Sequence, residues 1–123
     1  MRESEPTMAE NVAQAATAFQ RQSTGHVPRL VTVVLSEDVL VFTLLGALTA
    51  AECAMAESPA GAALVQEFHR QLFADACPSL REEIQRITGV EVREATAQVE
   101  TNTGTMIQVL LLKERISAEI WNQ

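Results

Sequence analysis

The sequence predicts an α+β fold: a four-stranded, mainly antiparallel sheet of two β-hairpins, packed against one long kinked helix, with short helices at both termini. Three observations predict it. Two stretches, 30–45 and 90–112, each hold a pair of β-branched, apolar runs separated by a short turn. Between them, Leu64, Phe68, Leu72, Ala76, Leu80, Ile84 and Ile87 recur at steps of four, four, four, four, four and three. Two capping boxes, Thr7 with Glu10 and Thr49 with Glu52, mark helix starts ahead of these segments.

Residues 1–7 read as a disordered tail ahead of one domain spanning the chain. From the first capping box, Met8, Val12, Ala15, Ala16 and Phe19 form a narrow, alanine-rich helical face, and Gly25 supplies a C-terminal stop near residue 23. Pro28 precedes the strands Leu30–Leu35 and Val39–Leu45, with Ser36-Glu37-Asp38 as their turn. These strands are apolar at nearly every position. A sheet with one wet face should alternate, so both faces call for cover, by helices or by a second subunit.

The box at Thr49 starts a short helix to about Glu57, and Ser58-Pro59 starts the long one, Pro occupying the first turn where its missing N–H costs nothing. Pro78 should kink or restart that helix near Ala74 to Cys77. Val90–Thr101 and Thr105–Leu112 form the second hairpin around Asn102-Thr103-Gly104. The apolar phase slips after Val92, which predicts a β-bulge near Arg93-Glu94. Lys113–Gln123 forms a last short helix with Ile116, Ile120 and Trp121 on one stripe.

Composition excludes several classes of function. The chain has 123 residues, 47% of them hydrophobic, and a net charge of −7. Its cations are eight scattered arginines and Lys113, so no basic stripe exists for nucleic acid or an anionic membrane. The longest uncharged apolar run, Val39–Ala51, falls short of the roughly 20 residues a spanning helix needs. The acidic start, Met1 to Pro6, is unlike a secretory signal, so the chain reads as cytoplasmic, with Cys53 and Cys77 as reduced thiols.

Candidate chemistry is thin. There is no Cys-x-x-Cys, His-Glu-x-x-His or acidic calcium loop, and no glycine-rich phosphate loop. His69 and Cys77 lie eight residues apart, about 12 Å along a helix, too far to act as a pair. Glu37-Asp38 and Glu82-Glu83 read as the solvated surface of a turn and a helix. His69-Arg70 reads as a solvated or interface flank of the long helix. The sequence is therefore read as non-enzymatic, with no cofactor and no metal.

With these elements placed, the chain resembles the MpsC-like family of small bacterial proteins. The resemblance runs from about Phe19 to Leu112. It is carried by Ser36-Glu37-Asp38, by Gly46-x-Leu48-Thr49-x-Ala51-Glu52, by Gly61, Arg70 and Pro78, by Ile87-Thr88-Gly89-Val90, and by Val99-x-Thr101-x-Thr103-Gly104. Two departures stand out. Gly25-His26-Val27-Pro28 replaces a Gly-Arg-Gly-Pro-like loop, and Ala50 stands where the family has proline. The resemblance implies association with a cation-translocating, membrane-potential-generating system. Its other parts are an antiporter-like membrane subunit and a large carbonic-anhydrase-like protein that handles inorganic carbon.

Two functional readings follow. The first is an accessory or regulatory protein that docks on a protein partner at the cytoplasmic face of a membrane, without inserting into it. The second is a sensor of a small molecule or anion such as bicarbonate, with a pocket between sheet and long helix near Glu52, Arg70 and Arg81. The side chains expected to meet a ligand or partner are Glu52, His69, Arg70, Arg81 and Thr103. A homodimer is expected, with helix one (Val12, Phe19) and the Ile116, Ile120, Trp121 stripe crossing between subunits to cover the apolar sheet.

Overall fold

The computed structural model describes residues 5–123. Of the expected disordered tail, residues 1–4 lie outside the described residues, and Thr7 at its end caps the first helix. Thr7 and Glu10 satisfy each other's backbone N–H groups at 3.0 and 2.8 Å and open α1, Met8–Thr24, which Gly25 closes at φ +77°. β1 (Leu30–Ser36) and β2 (Val39–Leu45) pair antiparallel from Leu30 opposite Leu45 to Ser36 opposite Val39. Their turn holds Glu37 at φ +59°, a left-handed conformation that costs a side-chain-bearing residue energy. α2 (Ala50–Met55) follows its capping box, then α3 (Pro59–Thr88) with Ser58 as N-cap and Gly89 as C-cap. β3 (Val92–Glu100), β4 (Thr105–Leu112) and α4 (Ala118–Trp121) complete the chain.

The sheet order is β1-β2-β4-β3, antiparallel throughout. The second hairpin therefore docks its later strand beside β2. The register shift expected from the hydrophobic phase occurs between Val92 and Glu94. Because facing residues share a side of the sheet, the pairings sort the strands into two faces. The inner face carries Leu40, Phe42 and Leu44 of β2, Met106, Gln108, Leu110 and Leu112 of β4, and Val92 and Val99 of β3, all buried. α1 and α3 lie together on that face, joined by an edge-to-face contact of Phe19 with Phe73 at 5.9 Å. The outer face presents Leu30 and Val34 of β1, Val41 of β2, Ile107 and Val109 of β4, and Thr96 and Gln98 of β3.

Three expectations need correcting. The buried row of α3 is Gly61, Val65, His69, Phe73, Cys77, Leu80 and Ile84. The expected row lies one residue out of phase in the first half, where Leu64 and Phe68 are 64% and 54% exposed. Gly61 sets the phase: a Cβ there would sit 1.8 Å from the Met55 carbonyl oxygen, so this bare backbone is what lets α2 lie against α3. Second, α3 does not restart at Pro78; it is one helix from Pro59 to Thr88. The proline ring is exposed while Cys77 and Leu80 beside it are buried, and that burial offsets the cost of a proline inside a helix, about 3 kcal/mol for the lost hydrogen bond and the ring clash together. Third, α1 and the C-terminal segment do not cross to the other side of the sheet. Val12, Phe19, Ile116 and Trp121 are buried in the core of their own chain, and only Ile120 of that set is exposed. Residues 113–117 are not helical, so the last helix is a single turn. It is held to α1 by the Met8 N–H donating to the Gln123 carbonyl at 2.8 Å.

Candidate functional site

A polar chain runs from the start of α2 into the core. The capping carboxylate of Glu52 accepts from the Thr49 N–H at 2.9 Å and the Thr49 hydroxyl at 3.2 Å through Oε1. Its Oε2 accepts from His69 Nε2 at 2.7 Å. A carboxylate only accepts, so this contact fixes the hydrogen on Nε2. Burial pushes the Glu52 carboxyl up, yet the Thr49 backbone N–H, the His69 hydrogen bond and charge, and the Thr49 hydroxyl together hold it below the usual carboxylate range.

His69 is 2% exposed. On its inner side a cavity of about 10 Å³, the size of one water, is lined by His69, Phe73, Met106, Gln20 and Gln108 among others. Gln108 Nε2 donates to Gln20 Oε1 at 3.4 Å, and Gln20 Nε2 and Gln108 Oε1 have no hydrogen-bond partner in the chain. Both amides are fully buried. This interior polar cluster draws on α1, the adjoining α2 and α3, and β4.

The expected contact residues do not assemble. Glu52 and His69 meet each other. Arg70 lies on the solvent side of α3, bonded through Nε and Nη2 to Glu67 at 2.9 and 2.6 Å; that pair holds the Glu67 carboxyl at about 2. Arg81 donates Nη2 to the carbonyls of Val92 and Arg93, both at 2.9 Å, tying α3 to the bulge of β3. Thr103 sits in the β3–β4 turn, its hydroxyl 2.9 Å from that of Thr105. Larger grooves lie elsewhere. Two of about 420 and 460 Å³ run between α1 and α3 beside the Glu83–Arg86 ion pair, and one of about 420 Å³ lies where α4 meets the β1–β2 turn.

The remaining reactive groups also have structural partners or are spread apart. His26 Nε2 bonds the Gly46 carbonyl at 2.9 Å, bracing the loop before β1 against the end of β2. Cys77 is buried, which pushes its thiol up against the opposing charge of Arg81, while Cys53 is exposed and both are free. Among the described residues, no three His, Cys, Asp or Glu side chains gather as metal ligands.

Sequence reasoning missed Gln20 and Gln108. A signal existed for one of them: Gln108 interrupts the inward row of Met106, Leu110 and Leu112 on a central strand, where a polar residue demands a partner.

Comparison with known families decides the assignment. A family model described as Na+-translocating membrane potential-generating system (MpsC) matches residues 4–114. The chain belongs to the MpsC family. The match spans α1 through β4, and among the described elements only α4 lies outside it. No curated protein and no solved structure matches the chain. No helix among the described residues is long and apolar enough to cross a membrane.

Proposed function

We propose that this MpsC-family protein is a non-enzymatic accessory component of a cation-translocating, membrane-potential-generating system, acting by binding a protein partner at the cytoplasmic face of the membrane. Membership of the family over residues 4–114 carries the reading. Two observations support it. The groups best suited to chemistry are engaged in holding the fold: His26 on a carbonyl, His69 on a helix-capping carboxylate, Arg81 on the β3 backbone, Cys77 in the core. Apolar surface also remains at the N-terminal end of α3, where Leu64 and Phe68 are exposed beside Met55 of α2. The link to inorganic carbon comes from the carbonic-anhydrase-like component that the family resemblance implies.

The test is genetic and biochemical together. Deleting the gene in its host is expected to lower the sodium-dependent membrane potential read by a potential-sensitive dye. The tagged protein is expected to retain the ion-translocating membrane subunit on purification. An unchanged potential with no such subunit retained would overturn the proposal.

A further inference from the structure

We propose that the outer face of the sheet is the interface between two copies of the chain, packed sheet on sheet. The inference goes beyond the accessory role and does not depend on it. Both long helices sit on the inner face, and no described element covers the outer one. Val34 and Ile107 on that face are 58% and 43% exposed, and its aliphatic residues are not among those packed against the core.

Charge selects the occupant. Outward positions of β1, β2 and β4 hold only aliphatic side chains, threonine and one serine. The formal charges, Glu94, Glu100 and the bulged Arg93, all lie on the β3 margin. In a chain of net charge −7, this is the surface that two copies can bring together without trapping carboxylates in a dry contact. An anionic membrane would need a basic rim, and the charged margin here is predominantly acidic. A twofold axis along the strands sets β1 of one copy over β3 of the other, so the two acidic margins stay apart. An axis across the strands would stack them.

Size agrees. Four strands about 4.8 Å apart and seven to nine residues long cover about 490 Å² per copy in projection. Two copies therefore bury about 1,000 Å² or somewhat more once side chains interdigitate, at the threshold of a specific interface. Aligned sheets of this kind pack about 10 Å apart.

Sedimentation of the full chain at micromolar concentration is expected to give twice 13.4 kDa. Ile107→Glu puts a charge on an interior strand where the free chain exposes it to water. It is expected to give a folded monomer with at least a hundredfold weaker association, while Leu64→Glu on the far side stays dimeric. A second measurement does not depend on tolerance of a charge. The thiol of Thr43→Cys, at the centre of the face, is expected to resist maleimide at high protein concentration and to label on dilution, with mass spectrometry separating it from exposed Cys53. A monomeric wild type overturns the proposal. So does an Ile107→Glu dimer, which would point to edge pairing through β1, or a thiol at 43 whose labelling ignores concentration. A monomer would leave the accessory role standing, and an unchanged membrane potential in the deletion strain would leave the dimer standing.

Discussion

His69 lies in the buried row of α3 between Val65 and Phe73, and its neighbour Arg70 points into water. Truncating the two should therefore have very unequal consequences. His69→Ala leaves a cavity and a capping carboxylate without its partner, and is expected to cost about 2–4 kcal/mol in urea unfolding. Arg70→Ala removes one exposed ion pair and should change stability by less than about 0.5 kcal/mol. Glu52 adds a pH signature. Its folded-state carboxyl titrates below the usual carboxylate range, so its stabilisation is complete above that range and is lost as pH falls through the lower folded value. Glu52→Gln should flatten the fall in stability between neutral and acid pH, measured by unfolding midpoints. The thiols should separate likewise: exposed Cys53 reacts quickly with a disulfide reagent at neutral pH, and buried Cys77 reacts only as the protein opens. Sequence named both members of the Glu52–His69 pair but assigned the histidine to the wrong side. Seventeen residues separate them, and nothing local reports which face of α3 turns inward.

At the level of elements, what was legible was local. Capping boxes, C-terminal glycines, both hairpins and the bulge at Val92/Glu94 depend on a few adjacent residues, and each stands where the sequence places it. The phase of α3 was not legible because its first half carries two parallel apolar rows. The deciding residue, Gly61, contributes no hydrophobicity at all. Gly61→Ala would drive a methyl into the Met55 backbone, and is expected to cost about 2–3 kcal/mol and to raise amide exchange across residues 49–57. The β1–β2 turn offers the reverse experiment. Glu37 holds a positive φ that asparagine or glycine adopts more easily, so Glu37→Asn should raise stability by about 0.5–1 kcal/mol in the same unfolding assay.

For the whole molecule, the sequence indicated four strands and three principal helical segments but not how they are layered. Strand order is set by contacts such as Val41 with Val109, 68 residues apart in numbering, and the terminal helices were assigned to the side the structure leaves bare. The C-terminal segment instead seals the inner core through Ile116 and Trp121. Trp121→Ala should cost about 3–5 kcal/mol, and the native protein's tryptophan emission, from this one residue, should be blue-shifted and move red on unfolding. The placement of β4 beside β2 has a further consequence, for the order of events during synthesis. The first hairpin leaves the ribosome about 60 residues before the strand that completes it, at some 5–20 residues per second. For several seconds β2 therefore carries an unpaired edge and a bare outer apolar face, and a nascent chain paused in that interval is a natural client for a holding chaperone.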